Sequence, residues 1–107
     1  MDIQPVNWEA IPWEPVREGV ERKVYSGEGA TLSLARLHPG AAPKPHAHPH
    51  EQVVYILDGD IEYHVEGAVT RLTRGGLMVV PPNQRHHFVV TGDTPVLNLD
   101  VFTPRRD

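Results

Sequence analysis

The sequence predicts an all-β fold, a sandwich or barrel of short strands that fits within a single domain. Proline and glycine are the first indication, because 11 prolines and 9 glycines in 107 residues interrupt the chain too often for long helices. The second is a series of short, β-like apolar or alternating segments, each bounded by turn residues. The length is enough for one hydrophobic core and not for two.

Eight segments with strand character follow residue 20. Alternation is clearest over 61–65, where Ile, Tyr and Val alternate with Glu and His, and over 30–37, where two leucines lie on one face. The segment 77–80 is wholly apolar, and 52–57 is rich in Val, Tyr and Ile. In chain order the predicted strands are 22–26, 30–37, 52–57, 61–65, 69–72, 77–80, 87–91 and 96–102.

Turn residues separate these segments at the short spacing that is typical of antiparallel sandwiches and barrels. They include the pairs Ser26-Gly27, Pro39-Gly40, Asp58-Gly59, Glu66-Gly67 and Gly92-Asp93, and the longer turns at 74–76 and 81–83. Residues 1–20 contain Trp8 and Trp13 among prolines and show no helical period. We therefore expect an extended N-terminal arm, 1–20, whose indoles pack on the body or on a partner subunit, followed by one β-domain, 21–107.

Composition argues against several functions. The formal net charge is −4 and no basic run is present, which disfavours nucleic-acid binding. The chain has no cysteine, so it can form neither a disulfide nor a thiolate metal site. No segment approaches the roughly 18 apolar residues of a membrane span, and the N-terminus lacks the pattern of a signal peptide. We expect a cytoplasmic protein that does not contact membranes.

Histidine is the first chemical signal. The chain has seven, all of them in the segment from His38 to His87, and neutral imidazole is the commonest metal ligand in proteins. In an extended strand His46 and His48 present their rings to one side, and Gln52 has the same parity. A fully extended chain would place Gln52 roughly 13 Å from His48, so the backbone must bend near Pro49 to bring them together. His50 shares this parity, so parity alone does not exclude it.

These residues lie in two motifs with regular spacing. The first has glycine, five residues, His-x-His, three residues, glutamine, six residues and glycine, at Gly40, His46, His48, Gln52 and Gly59. The second has Gly75, five residues, Pro81, and then His86 after a Pro-Pro-Asn turn. Together the two stretches resemble the paired motifs of the cupins. Asn83 stands where the family usually has glycine, a mild departure because asparagine tolerates a left-handed turn.

The resemblance covers roughly residues 20–103 and implies a double-stranded β-helix, the jelly-roll barrel. It also implies that His46, His48, Gln52 and His86 hold one divalent transition metal. Imidazole with one oxygen suits Zn, Ni, Fe, Mn or Cu, so the ion's identity stays open. Many metal cupins carry glutamate at the position of Gln52. A glutamine leaves the ion its full double positive charge, which favours an anionic ligand. Glu51, on the other face, is the alternative oxygen ligand.

The last strand adds polar groups. Asp100 and Phe102 share parity, and this aspartate either faces outward or serves as a base at the barrel mouth. The motif His-x-His-Pro-His-Glu-Gln with the terminal Asp-Val-Phe-Thr-Pro-x-Arg resembles the small pectin-degradation cupins, the KdgF-like proteins. That resemblance implies Asp100 as the base, Phe102 as a pocket residue and Arg106 as the carboxylate anchor. Tyr55 is interpreted as a core or pocket-wall residue.

Three functions follow from the resemblance. The first is a metal-dependent, isomerase-like enzyme that opens and ketonises 4,5-unsaturated uronates from pectin or alginate breakdown. The second is an Fe(II)-type dioxygenase acting on a small diketone or phenolic, since three histidines with open positions suit oxygen chemistry. The third is a non-enzymatic small-molecule or metal-binding module. A small, anionic substrate is expected in the first case, and the cupin resemblance implies a homodimer whichever function applies.

Overall fold

The computed structural model describes residues 4–107, and its regular secondary structure is almost entirely β-strand. A short 3-10 turn, Trp8–Ala10, precedes nine strands. The strands are β1 Glu14–Arg17, β2 Val20–Ser26, β3 Thr31–Leu37, β4 Glu51–Asp58, β5 Ile61–Val65, β6 Ala68–Leu72, β7 Leu77–Val80, β8 His86–Val90 and β9 Val96–Thr103. All eight predicted strands are confirmed, with their ends shifted by two residues at most. Within residues 4–107 no helix is long and apolar enough to cross a membrane.

The strands form two antiparallel sheets. The larger has the order β1-β2-β3-β9-β4-β7, and the smaller has the order β6-β5-β8. The last strand, β9, lies in the middle of the larger sheet, where it pairs with both β3 and β4. The chain thus crosses from one sheet to the other and back, which confirms the predicted jelly-roll architecture. An isolated bridge between His46 and His86 joins the segment before β4 to the start of β8.

Side-chain alternation assigns one face of each strand to the interior. Along β4 the buried residues are Gln52, Val54 and Ile56, whereas Glu51 and Tyr55 are exposed. Val54 and Ile56 are completely buried and belong to the hydrophobic core with Ile61, Val80 and Val96, among others. The interior face of β4 therefore passes from an apolar core at Ile56 to a polar end at Gln52.

The N-terminal segment packs against the outer face of the larger sheet. The Trp13 ring lies 4.2 Å from the Arg36 guanidinium carbon and 4.8 Å from the Lys23 ammonium nitrogen, both measured to the ring centroid. Lys23 Nζ also donates a hydrogen bond of 3.1 Å to the carbonyl of Trp8. The predicted arm is thus held on the body of its own chain, and its residues from Glu14 onward pair with β2 as an edge strand. Residues 1–3 of the arm lie outside the described part.

Two motif glycines offer a matched test of packing. Gly40 and Gly59 both adopt positive φ, 84° and 100°, so alanine is strained at either position. A Cβ on Gly59 would lie 2.9 Å from the Val96 Cα, whereas one on Gly40 would meet nothing within 4 Å. We expect Gly59→Ala to lower the free energy of unfolding by about 1–3 kcal/mol more than Gly40→Ala. Urea denaturation of both variants measures this difference, and equal losses would contradict the close approach.

Candidate metal centre

Three histidines converge where the two sheets meet. Each offers a ring nitrogen, and these nitrogens all lie within 4.8 Å of one another on His46, His48 and His86. The backbones of His46 and His86 exchange two hydrogen bonds, of 3.0 and 2.9 Å, which fixes one motif against the other. His48 and His86 are buried, and His46 is exposed toward the opening. The predicted histidine set is therefore brought together by the fold.

The turn of the second motif also positions the first. Asn83 has a φ of 65°, the left-handed conformation that the sequence predicted for this position. Its backbone N–H donates a 2.8 Å hydrogen bond to the His48 carbonyl. The chain bends at Pro49 and His50, and the His50 carbonyl accepts a hydrogen bond of 3.0 Å from His48 Nδ1. His50 thus contacts the site through its backbone carbonyl, and its ring also lies edge-on to the ring of His48, with centroids 5.8 Å apart.

All three imidazoles are held in the same tautomer. Nδ1 of His46, His48 and His86 contacts the carbonyls of Lys44, His50 and Gln84, at 3.1, 3.0 and 2.8 Å. A carbonyl can only accept, so each Nδ1 carries the proton and each neutral ring keeps its Nε2 lone pair free. Burial lowers the pKa of both His48 and His86, which favours the neutral rings that a metal requires.

Gln52 completes the polar set from β4. Its Nε2 donates a 2.9 Å hydrogen bond to Asp100 Oδ1, which turns its Oε1 toward His48 Nε2 at 3.1 Å. Because His48 carries its proton on Nδ1, its Nε2 and the Gln52 Oε1 are both acceptors. His86 Nε2 is buried and has no hydrogen-bond partner within residues 4–107. A cation would satisfy all of these lone pairs at once, so the donor set fits a divalent transition metal. Glu51 lies on the exposed outer face, and the geometry therefore favours Gln52 as the oxygen ligand.

Asp100 faces the interior beside this cluster, on β9. Burial raises its pKa to about 6, although the Gln52 donor and the Arg106 charge oppose the shift. The Arg106 guanidinium carbon lies 4.8 Å from the centroid of the Phe102 ring. Phe102 also contacts His48 edge-on, with ring centroids 5.5 Å apart. The structure thus places next to the histidines the three residues indicated by the C-terminal motif, Asp100, Phe102 and Arg106.

A cavity of about 610 Å³ opens between the sheets and contains this site. Its lining includes two of the three histidines, together with Gln52, Asp100, Phe102 and Arg106. Tyr55 is not among the lining residues and is 38% exposed on the outer face of β4. The expectation of Tyr55 as a pocket residue is therefore corrected. Its parity is opposite to that of Gln52, so the two side chains leave the strand on opposite faces.

Several polar residues of the cavity were not predicted from the sequence. Tyr63 and Asn98 are buried in its wall, where the Tyr63 hydroxyl donates a 2.6 Å hydrogen bond to Asn98 Oδ1. Burial raises the pKa of Tyr63 well above its usual value, so this hydroxyl stays protonated. Asn98 shares parity with Asp100 and Phe102, and that signal could have identified it. Arg22 also lines the cavity, and no role was predicted for it from the sequence.

Fold and site together define a class: a small jelly-roll protein with a cluster of three histidines that could hold a metal ion. The family model described as "Cupin domain" matches residues 33–102, which span both histidine motifs. The chain belongs to the cupin family. The match to more than half of the chain confirms the family resemblance seen in the paired glycine and histidine motifs.

The chain is similar to three characterised or solved relatives over most of its length. It is 30% identical over 97 residues to the pectin degradation protein KdgF of Dickeya dadantii. The aligned region covers 89% of this chain and 87% of the relative. The structure of KdgF from a Halomonas species matches with a TM-score of 0.84 and 31% identity, over 95% and 93% of the two chains. An RmlC-like cupin from Shewanella frigidimarina matches with a TM-score of 0.86 and 28% identity, over 95% and 91%.

Proposed function

We propose that this cupin is a metal-dependent enzyme that opens the ring of 4,5-unsaturated uronates and converts them to the open-chain ketone. The observation that carries the proposal is the placement of Asp100 and Arg106 in one cavity with the histidine cluster. A carboxylate and a guanidinium beside a candidate metal centre suit proton transfer on an anionic substrate. Similarity to a pectin degradation protein over most of both chains supports the uronate class.

The proposed ligands are His46, His48, Gln52 and His86, each of which offers a free lone pair in the tautomers described above. When bound, the metal would supply a Lewis acid that stabilises negative charge on a substrate oxygen. The chain's own contribution is to hold these donors in place. Three backbone carbonyls orient the imidazoles, and Asp100 orients the Gln52 amide.

The remaining residues would act on the substrate. Arg106 binds its carboxylate, Phe102 forms the apolar wall beside it, and Asp100 exchanges the proton. The anomeric hydroxyl loses its proton as the bond between the anomeric carbon and the ring oxygen breaks, which leaves an aldehyde and an enolate. The alkene carbon of the enolate then takes up a proton and the ketone forms. A single proton moves from oxygen to carbon, so the reaction consumes no oxidant or reductant.

Ultraviolet absorbance tests this function directly. We expect metal-loaded protein to remove the enol-ether absorbance of lyase-generated unsaturated galacturonate far faster than it decays alone. Chelator should abolish the effect and the removal of oxygen should leave it unchanged, because the conversion is an isomerisation. A requirement for oxygen would instead support the dioxygenase function. No acceleration by metal-loaded protein would contradict the uronate function and leave the dioxygenase and the binding module as the remaining functions. The homodimer and the cytoplasmic location stay predictions from the sequence.

A further inference from the structure

The edge strands β1 and β2 add positive charge to the cavity. Arg22 on β2 pairs with Ala35 of β3 on one side and with Glu14 of β1 on the other. Alternation places Val20, Arg22 and Val24 on the cavity side, and all three line it. The intervening Lys23 lies under Trp13 on the outer face. Arg22 therefore faces the same space as Arg106, although the two residues are 84 positions apart in the sequence.

Neither guanidinium is fully used by the protein. Arg22 donates one hydrogen bond, from Nε to Glu14 Oε1 at 3.0 Å, and its terminal nitrogens have no hydrogen-bond partner within residues 4–107. The Arg106 guanidinium stacks on Phe102 and forms no ion pair with a described carboxylate. Burial lowers the pKa of Arg106 most, and the positive charge of Arg22 lowers it further, so the two cations repel each other.

The carboxylates of the cavity do not remove this excess. Asp100 is occupied by the Gln52 amide, and Asp107 pairs with Arg105 at 3.0 Å. Glu14 alone is bound to a cavity arginine, and this pair is exposed, with 46% of the Arg22 and 60% of the Glu14 side chain accessible. An exposed ion pair of this kind is weak, and a ligand anion can replace its carboxylate. Two forked cations that face one space are well suited to hold one carboxylate between them.

We propose that Arg22 is a second binding residue for the substrate carboxylate, acting with Arg106, and that Glu14 occupies Arg22 until the substrate arrives. The inference rests on the proposed function for the identity of the acid. It assigns part of the specificity to the β1–β2 hairpin, outside both histidine motifs. It also predicts opposite effects at two paired residues, because removing Arg22 weakens the anion site and neutralising Glu14 strengthens it.

Kinetics with unsaturated galacturonate tests the paired effects. We expect Arg22→Gln to raise KM about tenfold, the order of a lost charge-assisted contact, with kcat changed less than about twofold. Glu14→Gln keeps an oxygen that accepts from Arg22 Nε, and it should lower KM by about twofold to threefold because the competing charge is gone. A folding defect would not lower KM. Arg71→Gln is the matched control, since Arg71 lies exposed on β6 and does not line the cavity.

Calorimetric binding separates this inference from the activity. Metal-loaded protein should bind saturated galacturonate more tightly than its neutral methyl ester, and Arg22→Gln should reduce that preference about tenfold. If turnover is absent but this preference depends on Arg22, the anion site stands and the proposed reaction does not. If turnover is present and Arg22→Gln behaves like Arg71→Gln in both assays, Arg22 is not a binding residue.

Discussion

Replacing His86 with alanine is expected to remove both the bound metal and the turnover of unsaturated uronate. His86 is the proposed ligand that joins the two motifs, and its buried Nε2 has no hydrogen-bond partner within residues 4–107. Without it, two imidazoles from one short segment and a neutral amide remain, a set too weak to retain the ion under dilution. We expect kcat/KM to fall by about a thousandfold or more, as when a group that stabilises transition-state charge is lost.

Metal analysis, kinetics and thermal unfolding measure this loss together. In the wild type, metal at about 100 times its dissociation constant should add about 2.7 kcal/mol to the stability, and His86→Ala should lose most of this increment. The control is His64→Ala, which removes an imidazole from β5 that stacks on His87 at 4.4 Å and does not line the cavity. If His86→Ala keeps its metal and its turnover at the level of His64→Ala, the histidine cluster is not the reactive centre.

Replacing Asp100 with asparagine is expected to lower kcat by about a hundredfold to ten-thousandfold, the usual contribution of a positioned acid–base group. The change is nearly isosteric, and the side-chain oxygen can still accept from Gln52 Nε2, as Oδ1 of Asp100 does at 2.9 Å. The orientation of the Gln52 oxygen is therefore preserved. Metal content and KM should stay close to the wild-type values, because the variant loses a proton carrier and keeps the binding groups.

The pattern of effects distinguishes this role from a structural one. A merely structural Asp100 would change metal content or the unfolding midpoint together with kcat. Asp93→Asn removes an equivalent charge from the exposed turn before β9 and should leave all three quantities unchanged. A kcat for Asp100→Asn within about threefold of the wild type would mean that the proton is carried by another group or by water.

Local signals in the sequence were sufficient for most of the strands, and the resemblance to the cupin motifs was sufficient for the histidine cluster. Strand alternation and turn residues depend on backbone geometry over a few positions, so they are readable without a fold. The left-handed turn at Asn83 and the convergence of His46, His48 and His86 were implied by the resemblance to the cupin motifs and are seen in the structure. The outward position of Tyr55 was also implicit, because Gln52 on the same strand has the opposite parity.

Strand β1 could not be predicted from local sequence signals in the same way. Glu-Pro-Val-Arg has neither alternation nor a run of β-branched residues, and it becomes a strand only because β2 offers an unpaired edge. Its pairing brings Glu14 onto Arg22 and so completes the charged wall of the cavity. The sequence around Arg22 therefore gives no sign of the role proposed for it, because its partner Glu14 comes from another strand.

The sequence by itself thus determined the strands, the turns and the metal-binding residue types, because these depend on short-range periodicity and on side-chain chemistry. Only the tertiary structure decided which face of the last strand, β9, is interior. Alternation defines two faces of a strand and leaves open which of them is covered. The placement of β9 between β3 and β4 settled this for Asp100, which turns inward to the Gln52 amide. The same long-range pairing brings Arg106 and Arg22 into one cavity, although they are far apart in the sequence.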